Sequence, residues 1–174
     1  MKLRKKGFTI VEIVIALAVI AIVSLAATSI VLTSQSVQKK TRDKFFAVSF
    51  CNNSLSIFQS AAAMSADINS DESDNADSQN THLSNMYSLF SDGMSKLLNV
   101  TMPNIEEDSI DHDTITIDSI YFDGDWKQTN QEDEKFTCYM SFKEDNGLTF
   151  TIRIYNNDNE LYSLSYSMPL GGTL

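Results

Sequence analysis

The sequence predicts an α+β protein in which a long N-terminal helix packs on a small antiparallel β-meander of about four strands. Between Phe45 and Met64 apolar side chains recur every three or four residues, which is the spacing of one helical face. From residue 114 onward apolar and polar side chains alternate, which is the spacing of half-buried strands. No glycine or proline lies between Gly7 and Gly93, so no residue of that range is expected to break a helix.

The first element is an apolar helix long enough to cross a bilayer. Residues 13–32 contain no charged side chain, and their polar residues are Ser24, Thr28 and Ser29. Twenty helical residues rise roughly 30 Å, the thickness of a bilayer core. The preceding flank is basic, with Lys2, Arg4, Lys5 and Lys6. By the positive-inside rule this flank stays in the cytoplasm and the C-terminal part of the chain lies outside.

Glu12 decides between three kinds of apolar N-terminal segment. A secretory signal would be removed by a cut near Ala26 and Ala27, and a plain signal anchor would be retained uncut. Neither accounts for an acidic side chain at the start of the apolar stretch. An ionised carboxylate in hydrocarbon costs a few kcal/mol, so such a residue indicates a function.

The third kind of segment explains the glutamate. Gly7-Phe8-Thr9-Ile10-Val11-Glu12 resembles the type IV prepilin signature. The resemblance implies that a membrane-embedded prepilin peptidase cuts between Gly7 and Phe8, that Phe8 becomes N-methylated, and that the apolar helix is retained. It also implies that Glu12 pairs with the terminal amine of a neighbouring pilin subunit. A buried carboxylate and a buried ammonium are each costly alone and tolerable as a pair.

These observations divide the chain into five segments. Residues 1–7 are the leader, 8–32 the transmembrane and assembly helix, 33–66 its continuation on the head, 67–113 a variable loop with a short helix, and 114–174 the β-sheet head. The helix is expected from about Phe8 to Met64. One predicted core stripe comprises Phe45, Val48, Cys51, Leu55, Phe58 and Ala62, and an adjoining one comprises Phe46, Phe50, Ile57, Ala61 and Met64.

The middle of the chain predicts a polar loop and then a short helix. Residues 67–80 are rich in Asp, Asn and Ser, a composition that favours a solvated loop. Asp71, Asp74 and Asp77 are candidates for binding calcium, but they lack the pattern of an EF-hand loop, so a solvated loop is favoured. Thr81 is the expected cap of the helix, whose apolar face comprises Leu83, Met86, Tyr87, Phe90, Met94, Leu97 and Leu98. Pro103 ends any continuation.

Four strands are predicted in the C-terminal segment. They are residues 114–122, 136–143, 148–155 and 161–168, separated at two points by hairpin-turn sequences rich in Asp, Asn and Gly. Strands joined in this way form an antiparallel meander with one apolar face. The part of the long helix outside the membrane is the expected cover for that face.

The two cysteines, Cys51 and Cys138, are predicted to face inward from the helix and from a strand. An exported domain permits a disulfide between them, and two buried thiols are the alternative. The formal net charge is −10, and loss of the four basic leader residues leaves −14. Such a surface repels phosphates, so direct nucleic-acid binding is not expected.

No constellation for catalysis, a cofactor or a metal is present in the sequence. The histidines, His82 and His112, accompany neither a nucleophile motif nor a metal-ligand spacing. Trp126 lies in a predicted turn as a lone exposed aromatic, and a role as a contact residue is one alternative for it.

The resulting prediction is a non-enzymatic structural subunit, a minor pilin or pseudopilin of a type IV filament system. Before assembly it is a single-pass protein surrounded by lipid, and afterwards it belongs to a cell-surface filament of pilin subunits. Two alternatives stay open: a binding module such as an adhesin or DNA-uptake tip, and a membrane-anchored surface domain that does not polymerise.

Overall fold

The computed structural model describes residues 9–69, 78–105, 113–157 and 159–169. Gly7, Phe8 and His112 lie outside these ranges, as does most of the acidic loop. The chain divides into two compact units, residues 1–43 and 44–174.

The first unit consists of the N-terminal part of helix α1. Helix α1 comprises Ile10–Asn69, and its large apolar side chains from Ile13 to Leu32 are more than half exposed. The helix is continuous throughout, which confirms the prediction made from the absence of glycine and proline. It ends five residues later than the predicted Met64.

The second unit contains the rest of α1, a second helix and an antiparallel sheet. Helix α2 comprises Ser78–Gly93 and leads into a π-helical turn at Met94–Leu98. The strands are β1 (Thr114–Phe122), β2 (Gln128–Thr129), β3 (Phe136–Glu144), β4 (Gly147–Asn156) and β5 (Asn159–Pro169). The α+β class and the four long strands are therefore confirmed.

The described residues form one five-stranded sheet in the order β2-β1-β3-β4-β5, with every neighbouring pair antiparallel. Strand β2 is an addition to the predicted meander. It pairs only with Tyr121 and Phe122, across a turn that Asp123 stabilises. The Asp123 carboxylate accepts hydrogen bonds from the backbone N–H groups of Lys127 at 3.0 Å and Asp125 at 2.8 Å. These bonds, that of Lys127 above all, lower the pKa of Asp123.

The core lies between the inner face of the sheet and the two helices of this unit. Phe58 of α1 is fully buried and stacks on Phe150 of β4 with ring centroids 5.0 Å apart. Phe90 of α2 meets Phe142 of β3 edge to face, also at 5.0 Å. Inward residues alternate along β3 and β4 as predicted, because successive side chains of a strand point to opposite faces.

Five predictions about individual residues were wrong. Phe46 and Met64, both predicted in a core stripe, are 43% and 56% exposed, because the buried face of α1 follows Ala47, Cys51, Phe58 and Ala62 instead. Phe45 is 68% exposed, because the described hydrophobic core begins two residues further along α1, at Ala47. Leu97 is 73% exposed, because it lies in the π-helical turn, where the 3.6-residue period no longer holds. Helix α2 begins at Ser78, so Thr81 is not its first residue.

Trp126 also differs from its prediction as an exposed contact residue. It is half-buried, and its ring stacks on Phe136 with centroids 4.4 Å apart. Its backbone has a φ of 63°, which is uncommon for a bulky residue. Trp126 lies in the turn between β1 and β2.

Candidate assembly site at the start of helix α1

Thr9 and Glu12 form a reciprocal cap at the first turn of helix α1. The Glu12 carboxylate oxygen Oε2 accepts hydrogen bonds from the Thr9 backbone N–H at 2.9 Å and from its hydroxyl at 3.1 Å. The Thr9 hydroxyl oxygen in turn accepts from the Glu12 backbone N–H at 3.3 Å. This is a capping box, which satisfies N–H groups that have no partner within the helix.

The cap uses only one of the two carboxylate oxygens of Glu12. Both bonds to Thr9 end on Oε2, and Oε1 has no partner among the described residues. Glu12 is exposed, so Oε1 is accessible to a donor from outside this chain. The side chain is thus fixed at the helix start with one anionic oxygen available.

The hydroxyl groups of the apolar segment are satisfied within α1. Ser24 donates to the Ile20 carbonyl at 2.8 Å, and Thr28 donates to the Ser24 carbonyl at 2.9 Å. Ser29 likewise donates to the carbonyl four residues earlier, at 3.0 Å. Because a polar group without a partner is costly in hydrocarbon, these bonds make the segment compatible with a bilayer.

Helix α1 passes the length and composition test for a membrane span. Its most apolar 18-residue window has a mean hydropathy of 2.9, and none of that window is buried within the protein. A soluble core helix of this hydropathy would be covered by the rest of its own protein. The uncovered surface here needs lipid or other helices around it.

The comparison with protein families agrees with this site. The model of the prokaryotic N-terminal methylation motif matches residues 2–28, which include Gly7, Phe8, Glu12 and most of the apolar segment. Comparison with curated proteins and comparison with solved structures each gave no match.

The motif, the capped helix start and the uncovered apolar helix define a pilin-type N-terminus. The chain carries the type IV prepilin signature. More particularly, this signature and the uncovered apolar helix support a pilin- or pseudopilin-type subunit and fit a membrane-anchored chain with an exposed C-terminal domain. The motif implies processing by a prepilin peptidase and assembly with other pilins, and its family is structural rather than catalytic.

The two cysteines both lie in the core, as their positions in the pattern predicted. Cys51 of α1 and Cys138 of β3 are fully buried and are free thiols in this structure. Burial raises the pKa of Cys138 well above its usual range, and the neighbouring Cys51 raises it further. The disulfide between them stays a prediction.

Sequence reasoning missed a buried polar cluster formed by Ser65, His82 and Glu144. His82 Nε2 lies 3.2 Å from the Ser65 hydroxyl oxygen, and His82 Nδ1 lies 3.2 Å from both carboxylate oxygens of Glu144. The cluster connects α1, α2 and the end of β3. Ser65 is fully buried, so a substrate has no access to its hydroxyl. Its role is to join the three elements.

The part of the chain that the structure describes contains no group of three or more His, Cys, Asp or Glu side chains that could hold a metal ion. Asp71, Asp74 and Asp77, the acidic residues considered for calcium, lie outside that part.

Proposed function

We propose that this protein is a minor pilin or pseudopilin of a type IV filament system. The leader, residues 1–7, directs insertion with the N-terminus in the cytoplasm. A prepilin peptidase cuts between Gly7 and Phe8, and the new Phe8 amine is methylated. The mature subunit then leaves the membrane and joins a bundle of like helices through the apolar surface of α1.

The observation that best supports this proposal is that the carboxylate oxygen Oε1 of Glu12 has no hydrogen-bond partner among the described residues. Thr9 occupies Oε2, so the carboxylate is held in place while Oε1 accepts the Phe8 ammonium of a neighbouring subunit. Pairing compensates two charges that are unfavourable in an apolar bundle. It also fixes the axial register between subunits, because only one offset brings the two groups together.

Processing is tested by mass spectrometry of the protein purified from membranes. The expected N-terminal peptide begins at Phe8 and carries one methyl group. An intact Met1 or a cut near Ala27 would overturn the proposal.

Assembly is tested with substitutions that separate the two roles of Glu12. Glu12→Gln keeps an oxygen that accepts from Thr9 but removes the charge, whereas Thr9→Val removes the hydroxyl of the cap and keeps the charge. Both variants, and Glu12→Ala, are expected to be cut after Gly7. Only the two Glu12 variants are expected to be missing from the sheared filament fraction.

The proposal fails if Glu12→Gln enters filaments as well as the unaltered protein does. A Thr9→Val variant that is processed but absent from filaments would show that the cap, not the charge pair, controls assembly.

A further inference from the structure

The sheet packs on the core with its inner face. Its outer face contains a groove lined by polar and aromatic residues. The groove has a volume of about 720 Å³. It lies over β1, β3 and β4, within the second unit. Its lining residues are Thr114, Thr116, Tyr139, Met140, Ser141, Thr151, Arg153, Tyr155 and Asn157.

A row of hydroxyl groups crosses the sheet at this groove. Thr116 is directly opposite Ser141, and Ser141 is opposite Thr151, all three within the groove lining. Thr151 is in turn opposite Ser165, which lies outside the lining. The last two hydroxyls are 3.1 Å apart. Each hydroxyl is both a donor and an acceptor, so a row of them matches a ligand that itself presents hydroxyls at intervals.

Two tyrosines supply an aromatic wall beside the hydroxyl row. The rings of Tyr139 and Tyr155 meet edge to face with centroids 5.5 Å apart, and Tyr139 is 43% exposed. A tyrosine ring combines an apolar face with a polar tip. This suits the face of a pyranose ring, whose C–H groups need apolar contact while its hydroxyls need hydrogen bonds.

Arg153 gives the groove its charge. It is directly opposite Tyr139 in the sheet, is exposed and makes no salt bridge with any residue that the structure describes. The lining residues include no carboxylate, although the chain has 23 Asp and Glu residues. A guanidinium presents paired N–H donors that match the two oxygens of a carboxylate.

We propose that this groove binds an acidic saccharide, with a sugar ring against Tyr139, its hydroxyls on the row Thr116, Ser141 and Thr151, and its carboxylate on Arg153. An extended peptide fits less well, since β3 and β4 are hydrogen-bonded on both sides and offer no main-chain edge. A nucleic acid fits less well because the net charge of −10 repels a dense polyanion. The proposal is independent of filament assembly.

The test is calorimetric titration of the full chain in neutral detergent micelles with trigalacturonic acid. Its fully methyl-esterified form, which has the same rings without the charge, is the matched probe. The acid is expected to bind saturably, and the ester about tenfold more weakly, which is the change for one lost charge-assisted contact.

Variants then assign the contacts. Arg153→Gln is expected to reduce acid binding about tenfold and to leave ester binding unchanged, whereas Tyr139→Ala reduces both. Lys143→Gln is the matched control, because this lysine is an exposed cation of β3 outside the groove lining. It is expected to alter neither.

Three results would overturn the proposal. The first is the absence of saturable binding of both sugars. The second is an equal effect of Arg153→Gln and Lys143→Gln, which would indicate general charge attraction. The third is tighter binding of hexaglutamate than of trigalacturonic acid, which would indicate an acidic peptide site.

Discussion

The buried His82–Glu144 contact is expected to contribute more to stability than a shorter contact at the surface. His82 Nδ1 lies 3.2 Å from Glu144, and the two side chains are only 11% and 9% exposed. The Lys96–Asp92 pair is closer, at 2.7 Å, but its side chains are 72% and 57% exposed. Solvent screening and side-chain entropy weaken the second pair and largely spare the first.

The expected coupling free energies follow from the burial of the first pair and the exposure of the second. A buried hydrogen bond to a charged group contributes about 1.5–3 kcal/mol, so we expect a coupling free energy of that size between His82 and Glu144. The exposed pair is spaced four residues apart in the chain, and such pairs give about 0.3–0.5 kcal/mol. Ser65→Ala removes the hydroxyl that bonds both His82 Nε2 and the Ala62 carbonyl, and it is expected to cost about 1–3 kcal/mol because a buried partner is left unsatisfied.

Double-mutant cycles measure both couplings. Urea unfolding of the full chain in detergent, followed by near-ultraviolet circular dichroism, gives the free energy of unfolding for each variant. The first cycle combines His82→Gln with Glu144→Gln, and the second combines Lys96→Gln with Asp92→Asn. The reasoning is refuted if the coupling between His82 and Glu144 does not exceed that of the surface pair.

Three further predictions concern packing, pH and backbone approach in the head. Phe58→Ala is expected to lower the free energy of unfolding by about 3–5 kcal/mol, whereas Phe45→Ala, on the same helix but exposed, changes it by less than about 0.5 kcal/mol. Asp123 is expected to titrate below pH 3.8 in the folded protein by carboxylate NMR. Because its folded pKa is lowered, its contribution to stability is present above the unfolded pKa and is lost as the pH falls through the folded one. Gly147→Ala is expected to cost about 1–3 kcal/mol by urea unfolding, since a Cβ there would lie 2.6 Å from the Met168 carbonyl oxygen.

Each of these has a result that contradicts it. Equal losses for the two phenylalanines would mean that the stacking on Phe150 does not determine stability. An Asp123 carboxyl that titrates at or above pH 3.8 would mean that its turn does not form. Gly124→Ala is the control for Gly147, because a Cβ there would meet only Lys135 Cδ at an ordinary 3.6 Å. A Gly147→Ala variant as stable as this control would contradict the close approach between the Gly147 backbone and the Met168 carbonyl oxygen.

Periodicity predicted the elements that depend on interactions between residues close together in the sequence. The continuous α1 follows from sixty residues without glycine or proline, and the alternation of β3 and β4 follows from burial of one face. The capping box at Thr9 and Glu12 was also readable, because threonine followed three residues later by glutamate is its sequence signature. The same two residues also belong to the prepilin motif, so their pattern alone does not distinguish a capping role from an assembly role.

Other features depend on contacts between residues far apart in the chain. His82 and Glu144 are separated by 62 positions, and no spacing rule connects them. Strand β2 has only two residues, too few to show alternation. The π-helical turn at Met94–Leu98 changes the period within an apolar run, so Leu97 could not be distinguished from its buried neighbours by pattern.

The internal hydrogen bonds of Ser24, Thr28 and Ser29 have a consequence for the energetics of the proposed assembly. Since each hydroxyl donates to its own helix, the segment presents the same surface to acyl chains as to another subunit. Moving it from bilayer to filament therefore breaks no hydrogen bond and exchanges one set of dispersion contacts for another. The transfer is close to isoenergetic along this stretch. In the proposed assembly, the direction of subunit movement would then depend on the helix start, where the carboxylate of Glu12 would gain or lose its counter-ion.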